Sequence, residues 1–304
     1  MKLTVLMSTY NGKEYLEEQL ASLYNQKFDG ELFILIRDDG STDGTQEILN
    51  RESKAHKNLS WYQGENVRPA KSFWDLLKKA KGSDYYAFCD QDDVWDEDKL
   101  QVAVNHLIEL PQDNPLLYFS DVRTVDKDLK PISETMVAKD IPIDYPKSLM
   151  NNIAPGCTYV FNEASRYLAS QFDENKHFMH IHDWKMYQIC VCFGHIFFDL
   201  TTHMSYRQHG NNTIGAVKGK IRYYLSVIKK RNDPKFVLLR KKEALALEEV
   251  YGTKMNEENR HITYLMAHYD EDKAARKELL KDPRFKYSRK QYLYFKHRIK
   301  IKKL

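Results

Sequence analysis

Short apolar runs alternate with amphipathic segments over the first 120 positions of the chain. Five of these runs are bounded by polar or turn-forming residues, which is typical of buried strands. The runs are residues 3–7, 32–36, 59–62, 85–88 and 116–120. Between the first two, Leu16, Leu20 and Leu23 recur at helical spacing. Because strands alternate with helices, the predicted fold class is α/β, with a Rossmann-like, mostly parallel sheet flanked by helices.

The pattern becomes looser after residue 120. A strand is predicted over 156–161, a helix over 183–192, and a pair of strands over 196–200 and 203–207. Beyond residue 216 the apolar residues recur at helical spacing. The helices predicted there are 221–228, 236–251, 261–280 and 292–301.

Charge is distributed unevenly along the chain. The net charge of +4 combines a basic segment, 216–304, with an acidic one, 1–215. The basic segment has 25 Lys and Arg against 11 Asp and Glu, and the acidic one has 22 against 32. Net charges of opposite sign indicate that the two segments have different roles. We therefore predict a catalytic α/β domain over 1–215 and a basic, mainly helical C-terminal region over 216–304.

Composition excludes several classes of protein. With 42% hydrophobic residues among 304, the chain can build a large core and is not disordered. It has no apolar run of about 18 residues to span a bilayer, and its first apolar run is expected to be a strand, not a signal peptide. Its four cysteines do not make a disulfide framework. Cys190 and Cys192 lack the second pair of a zinc site, so reduced thiols are predicted.

Three polar clusters follow predicted strands. They are Ser8-Thr9-Tyr10-Asn11, Asp38-Asp39-Gly40-Ser41 and Asp90-Gln91-Asp92-Asp93. In a parallel α/β sheet, ligands bind at the carboxyl ends of the strands. The fold prediction therefore brings these clusters together as a candidate binding site.

The aspartates of the third cluster suit a divalent cation. Asp90 and Asp92 are hard oxygen ligands, which favour Mg²⁺ or Mn²⁺ shared with phosphate oxygens. The alternative is a solvated turn whose aspartates cap the next helix. At the second cluster, the carboxylate of Asp38 or Asp39 can accept a hydrogen bond from a pyrimidine base, and the alternative there is an N-cap and a turn. Asp183 begins a predicted helix, so it is either functional or an N-cap.

Five motifs in chain order resemble glycosyltransferase family 2. They are STYNGKEYLEEQLASLYNQ, RDDGSTDGT, FCDQDDVWDEDKL, IHDWKMYQI and YRQHGNNTIGA. The resemblance covers about residues 1–216, and DQDDVW, HDW and YRQHGNN are similar to the bacterial rhamnosyltransferase-like branch. It implies the GT-A fold, a nucleotide-binding α/β domain in which a DxD motif holds the metal.

The resemblance also implies a role for each matching position. Asp183 would be the catalytic base. Asp92 would be the principal metal ligand, with Asp90 and His209 beside it, and the metal would be Mn²⁺ or Mg²⁺. The donor-binding residues would be Thr9, Tyr10, Asn11, Asp39, Arg68, Asp90, Gln91, Arg207 and His209. Lys185 departs from the aromatic residue that many relatives carry after HDW, which leaves the shape of the acceptor pocket open.

The last 21 residues, RFKYSRKQYLYFKHRIKIKKL, contain nine Lys and Arg, five aromatic residues and no acidic residue. Basic residues interleaved with aromatics suit an anionic membrane surface. The same features suit nucleic acid, and a solvated helix face is a third possibility. We predict the membrane, because an enzyme of polysaccharide synthesis acts on a lipid-linked acceptor.

The predicted function is that of an inverting, metal-dependent glycosyltransferase. It would move rhamnose or a hexose from a dTDP- or UDP-sugar to a lipid-linked saccharide, at the inner face of the plasma membrane. One alternative is a nucleotidyltransferase that makes the nucleotide-sugar. Another is a non-catalytic nucleic-acid-binding protein, although an acidic segment of 215 residues disfavours a phosphate backbone as partner. The predicted partners therefore include no nucleic acid.

Overall fold

A computed structural model of the chain describes residues 1–137, 142–209, 238–285 and 289–304. The chain divides into two compact units. The described residues of the first unit are 1–137, 152–174 and 181–209, and those of the second are 142–151, 175–180, 238–285 and 289–304. The predicted boundary at residue 216 lies outside the described residues and stays a prediction.

The described residues of the first unit contain nine strands in one sheet. In chain order they are β1 Lys2–Thr9, β2 Glu31–Asp38, β3 Leu59–Gln63, β4 Tyr85–Cys89, β5 Val94–Trp95, β6 Leu116–Val125, β7 Pro131–Ser133, β8 Val160–Asn162 and β9 His195–Arg207. The helices of both units are α1 Lys13–Tyr24, α2 Thr45–Ala55, α3 Arg68–Lys79, α4 Lys99–Ile108, α5 Tyr145–Ser148, α6 Glu163–Ser170, α7 His182–Phe193, α8 Leu239–Tyr251, α9 Glu257–His268, α10 Lys273–Leu279 and α11 Arg289–Lys300.

The sheet runs β3-β2-β1-β4-β8-β6-β9-β5, with β7 paired to β6. The four strands β3, β2, β1 and β4 are parallel neighbours, and β6 pairs with β9 in parallel over most of its length. Short antiparallel pairings join β8 to its two neighbours. The α/β prediction with a mostly parallel sheet is therefore confirmed.

The parallel strands are buried because helices cover both faces of the sheet. All five residues of β4 are buried, as expected for a strand with helices on both faces of its sheet. On α1, the predicted stripe of Leu16, Leu20 and Leu23 is at most 1% exposed and joins the core beneath the sheet. The period of the apolar residues thus predicted correctly which face of α1 is buried.

Two predictions about the later elements are wrong. Residues 196–200 and 203–207 do not pair with each other, because they belong to the single strand β9, which pairs with β6 and β5. The residues between them, Thr201 and Thr202, are β-branched and favour an extended chain over a turn. The predicted strand 156–161 is a 3₁₀ turn over Gly156–Thr158 that leads into β8.

The second unit is helical over most of its described residues. The predicted helix 261–280 is wrong in extent, because Asp272 accepts hydrogen bonds from Ala274 and Ala275 and caps a new helix, α10. The predicted helix 221–228 lies outside the described residues. Along α11, Phe295 and Ile299 are buried. None of the described helices is long and apolar enough to cross a bilayer.

Asn162, which is 2% exposed, joins three segments of the first unit. Its Oδ1 accepts from Leu116 and from Ser165, at the first turn of α6, and its amide donates to two carbonyls before β6. We expect Asn162→Ala to lower the free energy of unfolding by roughly 2–4 kcal/mol, because several buried partners lose their bonds. Asn58→Ala, which removes one bond to Leu32 O, should cost about 1 kcal/mol in the same urea titration. Equal losses in the two variants would contradict this role of Asn162.

Candidate active site

The carboxyl ends of β2, β1 and β4 form one edge of the sheet. Thr9 lies opposite Asp38 across the β1–β2 pair, and Met7 lies opposite Cys89 across the β1–β4 pair. The three polar clusters that follow these strands therefore leave the sheet side by side. This is the position in which parallel α/β sheets bind their ligands.

The loop after β1 is bonded to the loops after both neighbouring strands. Tyr10 is half exposed, and its backbone exchanges two hydrogen bonds with the Gln91 amide, at 2.9 and 3.2 Å. Asn11, in the left-handed region at φ 48°, receives a bond from Thr42 N–H and donates its own N–H to Ser41 Oγ. A Cβ at Gly12 would collide with the Gln91 amide. Candidate residues of the first and third clusters are thus in direct contact.

The two aspartates after β2 have different surroundings. Asp38 is enclosed by local donors, among them Thr9 Oγ1 at 3.0 Å and Ser41 N–H at 2.9 Å, so it shapes the turn. Asp39 is 2% exposed, forms an ion pair with Arg37, and accepts from Val67 N–H at 3.2 Å. This places Asp39 against the segment that leads into α3.

Arg68 is the first residue of α3 and is exposed. Its backbone lies in the left-handed region, at φ 69°, and its N–H donates to Asn66 Oδ1 at 3.3 Å. The preceding residue, Val67, donates its N–H to Asp39, so the backbone of Arg68 lies close to Asp39. Its predicted contact with the donor stays a prediction.

Asp92 and His209, two residues of the predicted metal set, are in contact, and their role as ligands stays a prediction. His209 Nε2 lies 2.7 Å from Asp92 Oδ2, and its ring centroid lies 4.9 Å from that of Tyr15. Arg207, the last residue of β9, is 2% exposed and donates from Nε to the Asp92 carbonyl and from its backbone to Asp93 Oδ1. The end of β9 is therefore hydrogen-bonded to the loop Asp90–Asp93, which we call the acidic loop.

Asp90 faces a second group of donor atoms. Atoms of Asp90, Asp93 and Cys157 lie within 4.8 Å of one another. Burial, the Asp92 charge and the Asp183 charge raise the pKa of Asp90 to about 7. Burial also holds the pKa of Asp93 well above its usual range. Burial also raises the pKa of Cys157, so it stays a thiol and is a poor ligand for a hard cation. The carboxylates and the His209 imidazole around this loop suit a divalent cation of the Mn²⁺ type, so these residues fit a metal.

A lysine is buried beneath the same loop. Lys99 is 0% exposed, and its ammonium lies 3.6 Å from the centroid of the Trp95 ring. Burial lowers the pKa of Lys99 to about 8, and the charges of Cys89, Cys157 and Asp93 oppose that shift. The acidic loop thus has a cation beneath it as well as Arg207 beside it.

Asp183 lies in the first turn of α7 and is 6% exposed. Its carboxylate accepts a hydrogen bond from Trp184 N–H at 2.6 Å, yet burial is the larger effect and raises the pKa of Asp183 to about 7. Its charge also reaches Asp90. A carboxyl group that is half ionised near neutral pH can take up a proton from a substrate.

His182, which precedes Asp183, is a core residue. Its ring stacks on Phe73 with centroids 4.1 Å apart and meets Phe88 edge-on at 5.0 Å. Burial lowers the pKa of His182 to about 3, so the ring is neutral. His182 packs α7 against α3 and β4 and carries no charge into the site.

Sequence reasoning missed several residues that shape this site. Gly156 lies against Asp183, where a Cβ would lie 2.6 Å from the Asp183 Cβ. Lys99 is the first residue of α4, where a lysine ordinarily indicates solvent. Tyr15 lies beneath the Arg207 guanidinium, at 4.7 Å. Gly156 carried a weak signal, as a glycine inside a predicted strand. Tyr15 and Lys99 carried none.

The chain matches the family model "Glycosyl transferase family 2" over residues 4–174. It is 31% identical over 231 residues to a dTDP-rhamnosyl transferase, RfbG of Shigella flexneri, covering 69% of this chain and 74% of that one. It is 30% identical over 158 residues to a putative teichuronic acid biosynthesis glycosyltransferase, TuaG of Bacillus subtilis, covering 52% of this chain and 60% of that one.

Solved structures share the fold at low identity. Residues 1–349 of TarS from Staphylococcus aureus, in complex with UDP-GlcNAc, match with a TM-score of 0.55 and 17% identity over 99% of this chain and 91% of that one. A mannosyltransferase from Pyrobaculum calidifontis, in complex with GDP-Man and Mn²⁺, matches with a TM-score of 0.52 and 16% identity over 98% of this chain and 84% of that one.

These matches decide between the functions that the sequence left open. The family model covers more than half of the chain, and the rhamnosyl transferase relative covers more than two thirds of it. Both matches are to glycosyltransferases, and neither is to a nucleotidyltransferase or a nucleic-acid-binding protein. The chain belongs to glycosyl transferase family 2, in a rhamnosyltransferase-like branch, and is a glycosyltransferase.

Proposed function

We propose that this protein is an inverting, metal-dependent glycosyltransferase that uses a pyrimidine nucleotide-diphospho-sugar. The observation that carries the proposal is Asp183, a carboxyl that is 6% exposed in the first turn of α7 and whose charge reaches Asp90. The rhamnosyl transferase relative favours dTDP-L-rhamnose as the donor. A UDP-hexose is the second donor to test, because the TarS fold relative was solved with UDP-GlcNAc.

The nucleoside would occupy the edge formed by the first two clusters. Asp39 would accept from the base, with Thr9 and Tyr10 beside the nucleoside and Arg68 near the base or phosphates. Asn11 and Gln91 would hold the loops in place, since both already bond to neighbouring loops. Asp39 is paired with Arg37 and Val67 N–H, so reading a base would use a remaining lone pair of its carboxylate.

The metal would be Mn²⁺ or Mg²⁺, held by Asp92, Asp90 and His209. When bound, the cation would neutralise charge on the diphosphate leaving group. The contact between Asp92 and His209 supports this set. Arg207, which donates to the Asp92 carbonyl and to Asp93, would hold the loop in the conformation that presents these ligands and would lie near the diphosphate.

Asp183 would remove the proton of the acceptor hydroxyl while its oxygen attacks the anomeric carbon. The attack comes from the face opposite the diphosphate, which inverts the configuration and releases the nucleoside diphosphate. A base is most effective when its pKa lies near the working pH. The raised pKa of Asp183 meets that condition, and the hydrogen bond from Trp184 N–H orients the carboxylate on α7.

The acceptor would be a lipid-linked saccharide in bacterial surface polysaccharide synthesis, and the protein would act at the cytoplasmic face of the plasma membrane. Support comes from the basic C-terminal residues. Leu293 and Ile301 are 58% and 42% exposed, and Lys300, Lys302 and Lys303 are exposed beside them. Apolar side chains among lysines suit the interface of an anionic bilayer.

The first prediction concerns the pH dependence of stability. Burial raises the pKa of Asp183 from 3.8 to about 7 in the folded state, so the protonated carboxyl stabilises the fold at low pH, and this contribution is lost as pH rises toward about 7. We expect wild type to lose up to about 4 kcal/mol relative to Asp183→Asn between pH 4 and pH 7, with a constant difference above. Urea unfolding of both proteins from pH 4 to above pH 7 measures this difference in the free energy of unfolding. A difference that is independent of pH would contradict a raised pKa.

The second prediction separates the metal from the base. Asp92→Asn should weaken Mn²⁺-dependent binding of the donor, because the cation loses a charged ligand. Asp183→Asn should leave that binding nearly unchanged and lower turnover by about 10²–10⁴, the usual contribution of a general base. Calorimetry measures the binding of the donor, and the release of nucleoside diphosphate measures turnover.

Asp98→Asn is the matched control for both variants. Asp98 precedes α4, and its carboxylate contacts His203 at 3.2 Å, away from the proposed ligands and base. It should change neither binding nor turnover. Near wild-type transfer by Asp183→Asn would exclude Asp183 as the base, and metal-independent donor binding in every variant would exclude the metal role of Asp92.

The third prediction concerns the membrane. Replacing the exposed Lys300, Lys302 and Lys303 by glutamine should reduce binding to vesicles of phosphatidylglycerol and phosphatidylcholine by at least tenfold, at about 1 kcal/mol for each charge. Donor hydrolysis should persist. The control replaces Lys54, Lys57 and Lys81, which are exposed in the first unit, by glutamine. Equal loss of vesicle binding in both triple variants would contradict a specific C-terminal contact.

A further inference from the structure

We propose that Arg37 is a positioning residue that sets the base specificity of the donor site, by holding the Asp39 carboxylate in one orientation as a hydrogen-bond acceptor. The pair then accepts bases whose facing ring nitrogen carries a proton, as in thymine and uracil, and rejects cytosine. The inference rests on the proposed function, in which Asp39 reads the base. Arg37 is the penultimate residue of β2 and is 5% exposed.

Arg37 and Asp39 leave the chain on the same side. They are two residues apart at the end of an extended strand, where alternate side chains share a face. Asp39 N–H bonds to Thr9 O at 2.8 Å, so the pairing with β1 continues to this residue. The Arg37 guanidinium and the Asp39 carboxylate meet as an ion pair, with side chains that are 7% and 3% exposed. Asp39 is therefore held by a cation of the protein itself.

The guanidinium of Arg37 is itself anchored by two other hydrogen bonds. Nε donates to Asp75 Oδ2 at 3.1 Å, and Nη2 donates to Glu65 O at 3.0 Å. The Tyr62 hydroxyl, on the neighbouring strand β3, donates to the same Asp75 oxygen at 2.7 Å. Because the donors of a guanidinium lie in a rigid plane, bonds at Nε and Nη2 fix the direction of Nη1. Nη1 is the atom that pairs with Asp39.

The segment between β3 and α3 packs against the pair. Val67 N–H donates to Asp39 Oδ2 at 3.2 Å, while Glu65 O accepts from Arg37. Gly64 lies directly against the guanidinium, where a Cβ would collide with Nη2. Each oxygen of Asp39 thus already has a donor, Arg37 at Oδ1 and Val67 at Oδ2. The carboxylate is fixed from two sides, and its remaining lone pairs can accept from a ligand.

This pairing determines which bases can face Asp39. An adjacent cation favours an ionised carboxylate, which accepts hydrogen bonds and donates none. Thymine and uracil carry a proton at N3 and match such an acceptor. Cytosine has a lone pair at N3, so two acceptors would face each other without a proton between them, which is costly in a buried site. Without Arg37, the carboxyl group could rotate or take up a proton and donate to cytosine, so the discrimination would be lost.

The experiment compares two nucleotides that differ only in this pattern of donors and acceptors. dTDP and 5-methyl-dCDP share the sugar, the diphosphate and the 5-methyl group, and they differ at N3 and C4 of the base. Calorimetry measures the affinity of each for wild type and for Arg37→Gln in the presence of Mn²⁺. We expect wild type to favour dTDP by at least about tenfold and Arg37→Gln by about threefold or less, since a charge-assisted hydrogen bond is worth about a factor of ten or more. UDP and CDP are the corresponding pair of ribonucleotides.

A second variant and a matched control accompany Arg37→Gln. Asp75→Asn keeps the guanidinium but removes the charge that holds its Nε, so the preference for dTDP should fall, though less than in Arg37→Gln. Arg51→Gln removes an exposed arginine that pairs with Glu17 and Glu52, and it should leave the preference unchanged. A purely structural role of Arg37 would weaken the binding of both nucleotides equally and leave their ratio as in wild type.

A wild-type ratio in folded Arg37→Gln would overturn the inference. If Arg37→Gln does not fold, Asp75→Asn decides by the same criterion. Failure of both variants to fold while Arg51→Gln folds would also overturn it, because the network would then serve the fold and not the choice of base. Failure of the proposed function gives a different result, since wild type itself would bind the two nucleotides of each pair equally, or none of the four.

Discussion

The organisation of this protein depends on how it accommodates carboxylates at one edge of its sheet. Asp90, Asp92 and Asp93 lie within four residues, and two of them are held with raised pKa values. Like charges in partly buried positions repel strongly. The fold offsets them with Arg207 at the end of β9 and with Lys99 beneath the loop. Each of these cations is itself buried, so the long strand β9 and the helix α4 are both required to bring them there.

That arrangement leaves charge for a ligand to satisfy. Arg207 bonds to the Asp92 carbonyl and to Asp93, so it does not bond to the carboxylate of Asp92, which contacts His209. The Asp183 charge adds to that of Asp90. A divalent cation and a diphosphate would arrive as a pair of opposite charges, which suits a site that is negative when empty. In this account, burial and the neighbouring carboxylates raise the pKa of Asp90, and a cation beside it would favour its ionised form.

Much of this could be predicted from the sequence, because the main features are local. The helical period of Leu16, Leu20 and Leu23 predicted the buried face of α1, and the aspartates after β2 and β4 followed directly from strand ends. The buried position of Lys99 could not be predicted, since a lysine ordinarily indicates solvent. The segments 142–151 and 175–180 belong to the second unit, which no change in composition indicates. The continuous β9 was missed because two polar residues, Thr201 and Thr202, interrupt its apolar pattern, although both are β-branched and favour an extended chain.

The central claim is that the acidic edge binds a nucleotide-diphospho-sugar together with a divalent cation. A thermal-shift screen tests it most directly, with dTDP-L-rhamnose, UDP-hexoses and GDP-mannose, each with and without Mn²⁺. A ligand that binds the native state raises the melting temperature as its concentration exceeds its dissociation constant. The account predicts that a dTDP- or UDP-sugar raises the melting temperature in the presence of Mn²⁺ and much less without it. Equal stabilisation without the metal, or stabilisation by GDP-mannose alone, would contradict it.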